Sequence, residues 1–297
     1  MTTQFLHFIA LQKRYSAHTV KAYKEDITQF ENFLLSYADS KSLDYTSVTR
    51  NDIRSWLMHL KESQYEPKSI HRKLASLRSF FKFLHKNGFI AKKPTNNIVG
   101  PKIKKRLPVF VKESEMNSDL LNSDLNGEHE YVFLRNVLIM ELLYGTGMRL
   151  SELVGLKEND INFNDQTLTV LGKGNKQRRI PLHKDLVELM HLYNICKNKT
   201  FKEVQIDTSF LLTNKGKKIY PVFVQRIVKM QLSKSTTEKK SPHVLRHTFA
   251  THLLNKGADL NAIKELLGHS SLAATQVYTH NSIEQLKLVF NQAHPKA

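Results

Sequence analysis

A chain of 297 residues has room for two ordinary domains, each able to bury its own core. With 40% apolar and 24% charged residues it has the balance of a folded protein and not of a disordered one. Lysine and arginine number 45 against 27 acidic residues, a formal charge of +18, which makes an anionic polymer the expected partner while leaving solvated surface lysines as an equal account of the same excess.

At the start, Met1 to Ala10 lacks the basic region and apolar run of a signal peptide. No apolar stretch anywhere approaches the ~18 residues of a membrane span, so a cytoplasmic protein without membrane contact is expected. From Ser16, a candidate N-cap, apolar residues recur at Val20, Tyr23, Ile27, Phe30, Phe33 and Leu34, the spacing of one buried helical face. Ile53, Trp56, Leu57 and Leu60 repeat it after Asn51 and Asp52, and Ile70, Leu74, Leu77, Phe80, Phe81 and Leu84 do so after Pro67. Residues 1–90 therefore read as a small helical bundle.

The last of these helices carries Lys68, Arg72, Lys73, Arg78 and Lys82 between its apolar positions, either a DNA-binding face or a merely solvated one. Residues 91–106 follow with Pro94, Gly100, Pro101 and a basic run that includes Lys102, Lys104, Lys105 and Arg106 but no apolar period, the composition of an interdomain linker. Residues 1–106 hold 20 basic and 8 acidic residues, a net +12, which leaves +6 for the remainder. The sequence thus predicts that much of the non-specific backbone affinity lies in the small domain and linker, with both domains closing around one duplex.

Residues 107–297 form the second predicted domain. Val132 to Leu143 is an apolar helix running into Tyr144-Gly145-Thr146-Gly147-Met148-Arg149, whose glycines permit a tight turn. Gln166 to Leu171 and Arg178 to Leu182 have strand patterns around Gly172-Lys173-Gly174-Asn175, a hairpin with a lysine at its tip. Helical spacing returns from Pro242, broken at Gly257 and Gly268. The fold class is mainly α, with a small antiparallel sheet in the second domain.

Three segments carry candidate chemistry: Gly147 to Leu153, His243 to His247, and Leu267-Gly268-His269 with Tyr278 nine residues on. Paired arginines grip both non-bridging oxygens of a phosphodiester and stabilise its transition state, which makes Arg149 and Arg246 candidates, although either alone is more often a surface or ion-paired arginine. His243, His247, His252 and His269 invite a metal reading. It is disfavoured because no glutamate stands between His243 and His247 in the zincin pattern and the single cysteine, Cys196, excludes a cysteine cluster and any intramolecular disulfide.

These segments resemble the two boxes of the tyrosine recombinase, or integrase, family, and especially its Xer branch. The resemblance rests on His243-Val244-Leu245-Arg246-His247-Thr248-Phe249-Ala250-Thr251-His252, Leu267-Gly268-His269-Ser270-Ser271-Leu272 and Thr275-Gln276-Val277-Tyr278-Thr279-His280, with the Lys173 hairpin and the tail Ala293 to Ala297. It spans the chain and is weakest over Lys112 to His129. It implies a SAM-like helical core-binding domain at 1–90 and a catalytic domain at 107–297. Tyr278 would be the nucleophile forming a 3′-phosphotyrosyl bond, Arg149 and Arg246 the phosphate ligands, Lys173 the general acid on the leaving 5′-oxygen, and His243 and His269 assistants in proton transfer, with no metal or nucleotide cofactor. A hairpin tip gives Lys173 the mobility such a role needs.

The resemblance also implies double-stranded DNA bearing paired sites, a homo- or hetero-tetramer, a Holliday junction, a second Xer-like recombinase and a cell-division DNA translocase as partners in chromosome-dimer resolution. The terminal stripe of Ile283, Leu286, Leu288, Val289 and Phe290 either packs on its own domain or docks on the next subunit, the second being what the family implies. An integrase or invertase of a mobile element would use the same residues on other DNA, a type IB topoisomerase would share the chemistry without paired sites, and a regulator that had lost catalysis would bind DNA without forming an adduct.

Overall fold

The structure is a computed structural model, and it describes residues 1–37, 43–103, 110–116, 128–172, 177–202, 208–268, 290 and 292–293. It divides into two compact units, Met1–Arg106 and Leu107–Ala297.

In the first unit, helix α1 (Thr2–His7) runs into a wide π-type turn at Phe8–Gln12, a segment whose helical character the sequence reading did not expect. Helix α2 (Ala17–Tyr37) follows, with Ser16 capping through the hydrogen bond that its Oγ accepts from the Thr19 N–H at 3.2 Å. Helix α3 (Arg50–Glu62) begins with a capping box: the Thr49 side chain accepts from the Asp52 N–H while the Asp52 carboxylate accepts from the Thr49 N–H. Such a cap is worth about 1 kcal/mol. Helix α4 (Pro67–Lys86) starts with proline in its first turn, where the missing N–H costs nothing. All six apolar residues expected on its inner face are buried, around Phe30 and Trp56.

The segment read as an interdomain linker packs on the first unit as far as Pro101. Ile90 and Ile98 join its core, Arg78 Nη2 donates to the Ile98 carbonyl, and His71 Nε2 donates to the Pro101 carbonyl at 2.6 Å. The polar composition of 91–103 concealed this because one apolar residue of that stretch, Ile98, and backbone carbonyls, not a periodic face, make the contacts. Lys104, Lys105 and Arg106 lie outside the described residues.

The second unit comprises α5 (Glu113–Met116), α6 (Glu128–Thr146), α7 (Leu150–Gly155), a three-strand sheet, α8 (Lys184–Thr200), α9 (Pro221–Gln231), α10 (Pro242–Asn255) and α11 (Leu260–Leu267). Apolar around nearly its whole circumference, α6 packs against α8, α9 and α10 as the central rod of the core. The sheet is antiparallel in the order β1 (Ile161–Asn162), β2 (Thr167–Leu171), β3 (Gln177–Pro181), with Leu168 opposite Ile180 and Val170 opposite Arg178. β2 and β3 are the expected hairpin, whose tip at 173–176 lies outside the described residues. Two-residue β1 is too short to show a period. Asp259 caps α11 by accepting from the N–H groups of Asn261 and Ala262, and Gly268 ends it with φ +64°, the left-handed turn that favours glycine. Phe290 and Ala293 are buried beside Phe249 and Leu253 of the same chain. Of the two readings of the terminal stripe, packing on its own domain therefore describes Phe290; Ile283, Leu286, Leu288 and Val289 lie outside the described residues.

Candidate active site

Arg149 stands at the N-cap of α7 and Arg246 one turn inside α10. Their approach follows from local backbone chemistry. The last carbonyls of a helix have no intrahelical partner and carry the negative end of its dipole. At the end of α11 three consecutive carbonyls are each taken by an arginine from a different element: Leu266 by Arg178 Nε at 2.8 Å, Leu267 by Arg246 Nη2 at 2.6 Å and Gly268 by Arg149 Nη2 at 3.0 Å. Arg246 Nη1 also donates to the Gly147 carbonyl at 2.6 Å, joining α10 to the turn before α7.

That turn requires glycine. Gly147 has φ +60°, and a Cβ there would lie 2.4 Å from Phe249 Cδ1 and 2.9 Å from Leu267 Cδ2. At Gly268 a Cβ would meet the Arg178 side chain at 3.0 Å. Gly147 thus lets the turn pack on Phe249 and Leu267, and Gly268 lets the backbone approach the Arg178 side chain.

Among the described residues one carboxylate contacts this cluster. Glu152 Oε1 accepts from Arg149 Nη1 and Arg178 Nη1, both at 2.8 Å, and Oε2 accepts from Arg178 Nη2 at 2.9 Å and from the Arg149 backbone N–H at 2.7 Å. Burial alone would raise the Glu152 carboxyl, but the hydrogen bonds from Arg178 and the Arg149 N–H and the Arg178 charge hold it at about 2. Arg246 is lowered to about 10, first by burial and then by the charges of Arg149 and Arg178, and so stays protonated at neutral pH. Carbonyls orient a guanidinium without cancelling its charge. Three cations against one carboxylate leave a standing positive potential that an anion would relieve, and the Arg149 side chain, 33% exposed, opens the cluster to solvent.

The structure brings Arg149 and Arg246 together and sets His243 exposed on the first turn of α10, three residues from Arg246. Lys173, His269 and Tyr278 lie outside the described residues. His252 is buried, and its Nδ1 shares a hydrogen bond of 2.9 Å with the Tyr144 hydroxyl, a packing role. No group of three histidine, cysteine or acidic side chains suited to a metal ion occurs among the described residues.

Two members of the cluster were given no role from sequence. Glu152 stands inside the Gly147 to Leu153 segment as the acidic residue three positions into a helix, a capping signature. Arg178 was legible only through the alternation of β3, which puts it on the buried side with Ile180.

On α4, Lys68, Arg72 and Arg78 are exposed, as is Lys102 beyond it. Lys73 does not belong to that face and is a correction: it is 7% exposed, and its ammonium lies 3.1 Å from the carboxylate of buried Asp26. Asp26 also accepts from Arg72 Nη1 at 2.5 Å and Ser76 Oγ at 2.7 Å, which ties α2 to α4. Burying a carboxylate demanded these partners, so charge pairing took Lys73 inward.

The sequence of the phage integrase family matches residues 114–285, and that of the phage integrase N-terminal SAM-like domain matches residues 2–88. The chain belongs to the phage integrase family. Among its curated relatives, tyrosine recombinase XerC of Chlorobaculum parvum is 37% identical over 314 residues, covering 99% of this chain and 94% of the relative. XerC of Pediococcus pentosaceus is 38% identical over 296 residues, covering 99% and 97%. This integrase-family member is accordingly an Xer-like site-specific DNA recombinase. Its fold is shared with XerH bound to difH substrate in a pre-cleavage complex, at a TM-score of 0.69, 20% identity and coverage of 97% and 84%. The Tn1549 transposon integrase in complex with transposon right end DNA gives 0.68, 19%, 96% and 99%. No helix of the described residues is long and apolar enough to cross a membrane.

Proposed function

We propose that this recombinase cleaves and rejoins DNA through a 3′-phosphotyrosyl link to Tyr278, with strand exchange passing through a Holliday junction. The observation that carries the reading is the convergence of Arg149 and Arg246 on adjacent carbonyls at the end of α11, in a cluster where three arginines face one carboxylate, Glu152, among the described residues. Arg149 and Arg246 take the non-bridging oxygens of the scissile phosphate and stabilise the charge of the pentacoordinate transition state. A phenol with a pKa of about 10 attacks only where cations lower the cost of its phenolate. His243 and His269 assist proton movement, and Lys173 protonates the leaving 5′-oxygen, so that neither metal nor nucleotide takes part. Lys68, Arg72, Arg78, Lys102, Lys104, Lys105 and Arg106 bind the DNA backbone.

The protein acts as a homo- or hetero-tetramer on two sites, with its C-terminal segment contacting the next subunit in place of its own domain. Its relatives are named tyrosine recombinase XerC, and that supports resolution of chromosome dimers in the cytoplasm, alongside a second Xer-like recombinase and a cell-division DNA translocase. The direct test incubates nicked duplexes, made from DNA recovered by binding selection, with wild type and Tyr278→Phe. Wild type alone is expected to give a protein–DNA band stable on a denaturing gel. Tight binding without an adduct, even after a partner recombinase is added, would overturn the assignment.

A further inference from the structure

Arg178 lies in the second strand of the Lys173 hairpin and has no role in the proposed chemistry, yet its guanidinium is wholly committed within the arginine cluster. Its Nη1 and Nη2 reach the two oxygens of Glu152 in parallel, at 2.8 and 2.9 Å, and its Nε is committed to the Leu266 carbonyl at 2.8 Å. The side chain is 4% exposed and sits directly beneath Gly268. With every nitrogen bonded and almost no solvent face, Arg178 is not placed to touch DNA.

We propose that Arg178 is a positioning residue: it fills the carboxylate fork of Glu152 so that Arg149 keeps its uncommitted N–H donors for the scissile phosphate. This rests on the reading above in which Arg149 is a phosphate ligand. A carboxylate and a guanidinium pair best through two parallel hydrogen bonds. Arg149 lies three residues before Glu152 and already donates one side-chain bond, from Nη1 to Oε1. The second side-chain approach, to Oε2, is held by Arg178. Vacating that place leaves a buried carboxylate short of partners, a costly state that Arg149 relieves by turning its fork inward. The phosphate would then lose a ligand although neither phosphate arginine had been altered. Arg178 also holds the end of α11 through Leu266, immediately before the segment that carries His269 and Tyr278.

A role in packing and a role in freeing Arg149 differ in whether protein that folds and binds DNA is nonetheless slow to form the adduct. Arg178→Gln should bind duplex DNA within a few-fold of wild type yet form the covalent adduct on nicked DNA about 10²-fold more slowly, the scale expected of a misplaced catalytic group. Adding Glu152→Gln removes the charge that captures Arg149, so the double variant should recover adduct formation by about tenfold over Arg178→Gln alone. A packing role would lower the folded fraction and the DNA binding of Arg178→Gln along with its adduct rate, and Glu152→Gln would then restore all three together by relieving the stranded carboxylate. Adduct formation by Arg178→Gln at the wild-type rate, or a double variant no faster than the single one, would overturn the proposal. Should Arg178→Gln fail to fold, the double variant decides by itself: a rate within about tenfold of wild type sustains the proposal, and its complete loss overturns it. A wild type that forms no adduct in the same gels marks a different failure, that of the Tyr278 reading, and this proposal falls with it.

Discussion

Two buried carboxylates, one in each unit, show how differently a basic protein uses its cations. Asp26 in the first unit is fully buried and engages Lys73, Arg72 and a serine hydroxyl, so charge is cancelled where α2 meets α4. Glu152 in the second unit shares itself between Arg178 and Arg149, while Arg246 close by is held, among the described residues, by the carbonyls of Gly147 and Leu267. The first cluster joins helices; the second joins α7, β3, α10 and α11 and leaves positive charge unspent. Lys73 is spent on a buried carboxylate, whereas Arg246, held by carbonyls, keeps its charge.

Asp26→Ala strands the buried Lys73 ammonium and should destabilise the first unit by about 3–5 kcal/mol, read by denaturant unfolding. If Asp26 and Lys73 serve folding alone, pairing this change with Lys73→Met should restore much of the loss, and an unrepaired double variant would count against that account.

Acid separates the two units more gently. The Glu152 carboxyl is held below its ordinary 4.5, at about 2. A lowered carboxyl contributes stability that is fully present above the unfolded value and is lost as pH falls through the folded one. Stability of the second unit should therefore decline between about pH 4.5 and 2, and Glu152→Gln should flatten that decline although it is the less stable protein at neutral pH. Equal acid slopes for the two proteins, measured by chemical denaturation across that range, would remove Glu152 from the account.

The smallest expected effect sharpens the contrast along α4 itself. Lys68→Gln should reduce the slope of log affinity against log salt by about 0.9, the value for one phosphate contact. Lys73→Met should leave that slope unchanged, because its ammonium is already neutralised within the protein. A slope that falls equally in both variants would return Lys73 to the DNA-binding face.

Much of the fold was legible because burial imposes periods on sequence. The faces of α2, α3 and α4, the β2–β3 hairpin and the apolar rod of α6 were each visible as spacing. Helix α1 escaped because Phe5, Leu6, Phe8 and Ile9 crowd into two turns and supply too few repeats to define a face. The docking of residues 91–101 escaped because it depends on carbonyls taken by Arg78 and His71. A carbonyl is present at every residue, so nothing in the side-chain sequence marks the ones that will be used.

In the candidate site, Arg149 and Arg246 were legible from segments that resemble a family. The amino-acid sequence by itself determined the two-unit helical organisation, the excess of positive charge and the residue types suited to a phosphodiester, since hydrophobic period, net charge and motif are all written along the chain. Only the tertiary structure decided which cations remain available. Arg178 meets Glu152 from 26 residues away and Arg149 meets Gly268 from 119, and pairing of charges across such separations is settled by which helix ends and strand faces the packed core brings into contact.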